Sequence, residues 1–225
     1  MGEGEGTRLA RLRQGLYRFF AASLLYPDAE RLALLIEASR LLDAEDLHAF
    51  AFYGPWRRLR GALEDLLDRA EVGLEEEYVR LFLVSADGAL CPPHEAFYLA
   101  PPGPATGLVL AEVEQGYARI GVAPSGELRR FPDHAAVELE AMAFLCDGEA
   151  RARENKRPGE VDGALADQRA FLGQHLGRWF PIFTGRVMKL SAGSFYAAVV
   201  GAADAYVRHD LDLLSLLAKG VRGRG

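Results

Sequence analysis

The sequence predicts an all-α protein, on three observations. Apolar residues recur at three- and four-residue steps along most of the chain, which gathers them on one face of a helix. Nowhere is there sustained period-two alternation, an Asn-Gly hairpin signal or a β-branched run bounded by turns. Prolines and glycines fall mainly between the periodic stretches, and no fixed-period repeat or low-complexity tract suggests a solenoid. The expected architecture is a single-domain helical bundle over residues 1–225, with a long proline-rich loop and one buried central helix.

In chain order, the acidic, Gly-rich residues 1–6 are expected to be disordered and do not read as a signal peptide. Leu9, Leu12, Leu16, Phe19, Phe20 and Leu24 form the stripe of a first helix that ends at Tyr26-Pro27. Asp28 is suited to cap a second helix carrying Leu32, Leu35, Ile36 and Leu42. A third region, from Leu47 to about Ala70, should end or kink at Gly54-Pro55 before Trp56, Leu59, Leu63 and Leu66 resume the stripe. The carboxylates from Glu64 to Glu77 read as a solvated face, or as a landing surface for a basic peptide. Leu74 to Val84 is a short helix with Tyr78, Leu81 and Phe82 inward.

Residues 85–106 form the longest irregular segment, and their prolines exclude a continuous helix. A long ordered loop of this kind is expected to be functional. Leu108 to Ile120 is helical. The central helix follows: Pro132 cannot sit inside it, Asp133 is a preferred N-cap, and the apolar character then runs almost all the way round. His134, in the first turn, should be neutral because the helix dipole disfavours imidazolium, and Glu138 lies four residues on. Pro158-Gly159 ends this stretch. Val161 to Trp179 forms the next helix, stopped by Phe180-Pro181; Phe195 to Tyr206 forms the last long one, and Leu211 to Leu217 a short tail helix.

A net charge of -6 and a pI near 5.5 argue against duplex nucleic acid or an anionic membrane as the main partner, and are compatible with a cationic peptide. Cys91 and Cys146 stand far apart, so neither a disulfide framework nor a redox pair is indicated, and a reducing cytoplasm fits. No apolar run is long enough to span a bilayer.

Metal binding through Cys91, His94, Glu95, Asp133, His134 and Glu138 is the main chemical alternative, but only Cys91-x-x-His94 has ligand spacing and no Glu has a His three residues later. Cys91 with His94 as a nucleophile and base would have two prolines between them. There is no phosphate-binding loop. His48, His175 and His209 read as polar-edge or surface residues, and Trp56 and Trp179 as core. No catalytic residue and no cofactor is expected.

Several segments together resemble the TorD/DmsD/NarJ family of chaperones for molybdenum oxidoreductases. They are Glu77-Tyr78-Val79-Arg80-Leu81-Phe82; Pro92-Pro93-His94-Glu95 with Tyr98; Pro132-Asp133-His134 leading into Glu138-Leu139-Glu140; and Gln168, Phe171, Leu172, His175, Leu176 and Trp179 on to Phe195-Tyr196. The Cys91-to-Glu95 form looks most like chaperones of the type II dimethyl sulfoxide reductase group, and His94 stands where the family often has Tyr. The resemblance implies a cytoplasmic, non-enzymatic protein, monomer or homodimer. It would bind the catalytic subunit of a molybdopterin oxidoreductase, often at its twin-arginine leader, until cofactor insertion is complete. It also implies peptide binding through Pro92, Pro93, His94, Glu95, Tyr98, Pro132, Asp133 and His134, and the carboxylate chemistry of the segment adds Glu138. Carboxylates of Glu95, Asp133 or Glu138 would pair with leader arginines.

Overall fold

The computed structural model describes residues 3–68, 73–83, 89–101, 103–125 and 127–222. Ten α-helices follow one another: α1 (Glu3–Ser23), α2 (Ala29–Asp43), α3 (Tyr53–Asp68), α4 (Leu74–Phe82), α5 (Glu95–Leu99), α6 (Pro104–Arg119), α7 (Ala135–Glu154), α8 (Pro158–Gln174), α9 (Leu176–Leu190) and α10 (Phe195–Arg222). Short 3-10 turns occupy Leu47–Ala49 and Glu127–Arg130. Among the described residues there is no strand, only a one-residue antiparallel bridge between His94 and His134.

The central helix is α7, whose buried residues include Leu139, Met142, Cys146 and Ala150. α1 packs along it more extensively than any other pair of elements, and α8, α9 and α10 close the remaining sides. Trp56 and Trp179 are fully buried, as expected. Trp56 sits edge-on to Phe19 and Phe20, with Phe20 stacked in turn on Tyr206.

Several boundaries differ from those expected. Residues 1–6 were expected to be disordered, yet α1 begins at Glu3, while Met1 and Gly2 lie outside the described residues. Gly54-Pro55 does not break α3. Pro55 lies in its first turn, where an N–H would have no intrahelical acceptor to lose. Pro158 likewise opens α8. Pro181, expected to stop a helix, sits inside α9; the chain breaks earlier, at His175, whose φ of -114° and ψ of -99° interrupt the helical path. α10 runs unbroken through the proposed tail helix. The proline-rich segment is not continuously irregular: it contains α5 and the start of α6, and residues 84–88 and 102 lie outside the described residues.

A charged cluster missed in the sequence ties the bundle together. Arg13 of α1 is 2% exposed. Its Nε donates to Asp210 Oδ1 of α10 at 2.6 Å and its Nη1 to Glu149 Oε2 of α7 at 2.8 Å. Nη2 donates to Gln168 Oε1 of α8 and to Asp210 Oδ2, which also accepts from Tyr17 Oη at 2.6 Å. Gln168 Nε2 returns a bond to Glu149 Oε2 at 3.0 Å. A buried guanidinium is tolerated only when its donors are matched, and here three other helices supply the acceptors.

Removing one side of such a network leaves the other side's charge buried and unpaired. Arg13→Ala should therefore cost about 3–5 kcal/mol of unfolding free energy in urea denaturation. A loss below about 1 kcal/mol, the value typical of an exposed pair, would show that the network is not structural.

Candidate functional site

The candidate residues meet where two extended stretches run antiparallel. His94 (φ -127°, ψ 127°) and His134 (φ -73°, ψ 135°) are both extended. The Glu95 N–H donates to the Asp133 carbonyl at 2.9 Å, and the Ala135 N–H donates to the Pro93 carbonyl at 2.9 Å. Tyr117 Oη on α6 holds the Pro132 carbonyl at 2.7 Å. From this bridge α5 and α7 start side by side, each with a histidine at its N-cap.

The caps are exchanged relative to expectation. Asp133 does not cap α7, because helical backbone begins only at Ala135 and His134 occupies the capping position. His134 Nδ1 accepts from the Ala136 N–H at 3.1 Å. Asp133 instead caps α5 from across the bridge: Oδ2 accepts from the Ala96 N–H at 3.2 Å, and Oδ1 accepts from His94 Nδ1 at 3.1 Å. Burial alone would raise its pKa, but the His94 and Ala96 donors outweigh that and hold the carboxyl below the ordinary aspartate range.

His134 is 6% exposed and neutral, as expected, though burial rather than the helix dipole is the main cause. Desolvation, reinforced by His94 and only partly offset by Asp133, brings its pKa down to about 3. Since Nδ1 accepts from Ala136, the proton resides on Nε2.

Beneath the bridge lie two more carboxyls. Glu95, at 1% exposure, accepts from His175 Nδ1 at 3.0 Å. His175, expected at a polar edge, is buried at the α8–α9 break, and its ring lies so close to α6 that a Cβ on Gly116 would stand 2.6 Å from Nε2. Glu138 is fully buried and accepts from Trp179 Nε1 at 3.0 Å. Burial first, and the neighbouring Glu95 carboxylate second, push its pKa well above the ordinary range. A protonated Glu138 can donate to Glu95 through Oε1, the oxygen that otherwise has no partner. Glu95, Asp133 and Glu138 are thus occupied with internal donors and present no carboxylate to the surface.

The surface is made by their neighbours. Pro92, His94, Tyr98 and Pro132 are half-buried, Pro93 is buried, and Phe97 and Phe131 are exposed. The His94 ring sits edge-on to Phe131, Tyr98 stacks on Trp179, and Arg186 lies over Phe97. On its other side His134 lines a cleft of about 630 Å³ between the end of α1, α4, the α6–α7 connection and α7. Leu25, Tyr26, Tyr78, Val137 and Phe144 give it mostly apolar walls.

The arrangement suits binding better than chemistry. Among the described residues no three His, Cys, Asp or Glu side chains are grouped to hold a metal ion. His94 and His134 each direct Nδ1 to a protein partner. Burial pushes the Cys91 thiol up, opposite to what a nucleophile needs.

Residues 45–185 match the model of the family described as nitrate reductase delta subunit. The chain belongs to this family. It is 30% identical to the chaperone protein TorD of Vibrio cholerae over 72% of this chain and 72% of the relative. It is also 30% identical to the chlorate reductase assembly chaperone protein of Ideonella dechloratans and to the selenate reductase assembly chaperone protein of Thauera selenatis, in each case over 67% of this chain and 76% of the relative. A crystal structure described as that of a redox enzyme maturation protein from Archaeoglobus fulgidus shares the fold, with a TM-score of 0.55 at 20% identity, covering 87% of this chain and 93% of that one. The relatives are assembly chaperones rather than enzymes, and so is this member of the family. No helix among the described residues is long and apolar enough to cross a membrane.

The depressed pKa of His134 has a signed consequence. The unfolded imidazole takes a proton near pH 6.5 and the folded one only near 3, so stability is full above 6.5 and falls as pH drops through that window. Urea titrations should show a slope of up to about 1.4 kcal/mol per pH unit that His134→Asn, an uncharged N-cap, removes. An unchanged slope would mean that other groups set it. Separately, Gly116→Ala should push His175 off Glu95 and cost about 1–3 kcal/mol, read as a lower urea midpoint.

Proposed function

We propose that this chaperone acts in the cytoplasm on the catalytic subunit of a molybdopterin oxidoreductase, binding a peptide segment of it, such as a twin-arginine leader, until the cofactor is in place. The observation that carries this reading is the apolar cleft with His134 in its wall, the His134 ring lying edge-on to His94, whose ring in turn meets Phe131. A leader contributes an apolar helix-forming stretch, and a helical groove of this size accepts such a segment through side chains at three- and four-residue spacing. The chlorate and selenate reductase chaperones among the relatives support a client of this reductase class.

Within this reading the candidate residues divide into two kinds. Pro92, His94, Tyr98 and Pro132, joined by Phe97 and Phe131, offer contact surface, whereas Pro93, Glu95, Asp133, His134 and Glu138 hold that surface in shape. Of the candidate residues only His134 lines the cleft. Substitution of the buried group should lower stability and binding together, and substitution of the exposed Phe97 and Phe131 should lower binding alone.

The test is capture from lysate of the source organism on immobilised protein. Wild type should retain a molybdopterin enzyme's catalytic subunit, and Phe97→Ser/Phe131→Ser should retain about tenfold less with an unchanged melting temperature, as expected when exposed contact residues are truncated. Equal retention by the two proteins would remove Phe97 and Phe131 from the binding surface. Stoichiometric metal in protein purified without chelator, with no client captured, would favour the metal-binding alternative.

A further inference from the structure

We infer that Glu140 of α7 is the specificity-determining residue of the cleft, pairing with one cationic side chain that the bound segment carries among its apolar contacts. The inference rests on the peptide-binding role proposed above and adds the residue that reads the peptide's charge.

Glu95, Asp133 and Glu138, the carboxylates expected to meet leader arginines, lie beneath the surface and are engaged there. Glu140 is placed differently: it lines the cleft and is exposed. Helix geometry makes the difference. Val137, Glu140, Ala141 and Phe144 recur at three- and four-residue steps and share the face of α7 that walls the cleft. Glu138, two residues from Glu140, lies about 200° round the helix and points to Trp179 instead.

The other ionisable groups in the lining already have partners. Arg31 pairs with Asp28 at 2.9 Å. The Tyr26 hydroxyl donates to Glu75 Oε2 at 2.6 Å, that of Tyr78 to the Leu24 carbonyl at 3.3 Å, and that of Tyr117 to the Pro132 carbonyl at 2.7 Å. His134 is neutral, with Nδ1 bonded to the Ala136 N–H. Glu140 makes no hydrogen bond or ion pair among the described residues. Desolvation by the cleft walls raises its pKa, and the field of Arg18 on α1 offsets only part of that effect. Ionised Glu140 is thus short of solvation and of counter-charge, and a guanidinium arriving on a peptide supplies the counter-charge through charge-assisted hydrogen bonds.

The neighbours of Glu140 define where that cation must sit. Val137 lies one turn before it, Phe144 one turn after, and Ala141 beside it, while Ala21 and Leu25 of α1 add to the apolar lining. A helix lying against this face therefore carries its cation within about one turn of apolar side chains, not on its opposite face.

The experiment uses two synthetic helix-forming peptides, each with a single arginine, placed on the apolar face in one and on the opposite face in the other. Each has a counterpart with citrulline, a neutral analogue of similar shape, in place of the arginine. All four are titrated calorimetrically into the full-length protein at low and high salt. With the residue on the apolar face, wild type should prefer arginine to citrulline by about fivefold at low salt, the scale of a partly exposed ion pair, and less as salt rises. The opposite-face pair should show no such preference. Glu140→Gln should abolish the preference and leave the citrulline peptide's affinity unchanged, which also reports an intact cleft. Equal binding of arginine and citrulline by wild type, an equal preference in the opposite-face pair, or a preference that survives Glu140→Gln overturns the role of Glu140 while leaving peptide binding intact. Wild type binding none of the four peptides overturns the peptide-binding reading and this inference together.

Discussion

The buried guanidinium of Arg13 is the constraint around which the bundle is arranged. A charge at 2% exposure is sustainable only if its donors meet acceptors, and α7, α8 and α10 supply them through Glu149, Gln168 and Asp210. Apolar faces alone could slide by a turn at small cost, whereas hydrogen bonds to one planar fork have one register. The network thus sets how the C-terminal half of α7 sits against α1, α8 and α10, and the aromatic packing of Tyr17, Phe20, Phe52 and Tyr206 fills the adjoining space.

The N-terminal half of the same helix carries the functional end. With α7 anchored at Glu149, His134 is held at a defined place in the cleft wall, and Glu138 is brought under Trp179. The two ends use polar burial differently. Around Arg13 opposite charges compensate one another, while around Glu138 two carboxyls lie close and one stays protonated. The second arrangement keeps the floor beneath the bridge neutral at Glu138 and leaves the free surface charge to residues outside it.

The α5–α7 bridge depends on backbone bonds between Pro93 and Ala135 and between Asp133 and Glu95, and on an aspartate that caps a helix other than its own. The surface beside it, from Phe97 and Phe131 to Tyr26 and Phe144, makes few demands on the fold and is open to variation.

The sequence by itself determined the helical class, the inward faces and the core tryptophans, because apolar periodicity is a local property of the chain. It also pointed to the segments around His94 and Asp133 through their family resemblance and to a neutral His134, although burial rather than the helix start accounts for that neutrality. Only the tertiary structure decided that Asp133 caps α5, that Glu95, Asp133 and Glu138 lie beneath the surface, and that Pro55 and Pro181 are accommodated within helices. It alone joined Arg13 to Asp210, nearly the whole chain away. Capping, burial and ion pairing depend on which groups meet in space, and for residues such as Asp133 and Ala96 or Arg13 and Asp210 that meeting is made by packing rather than by spacing along the chain.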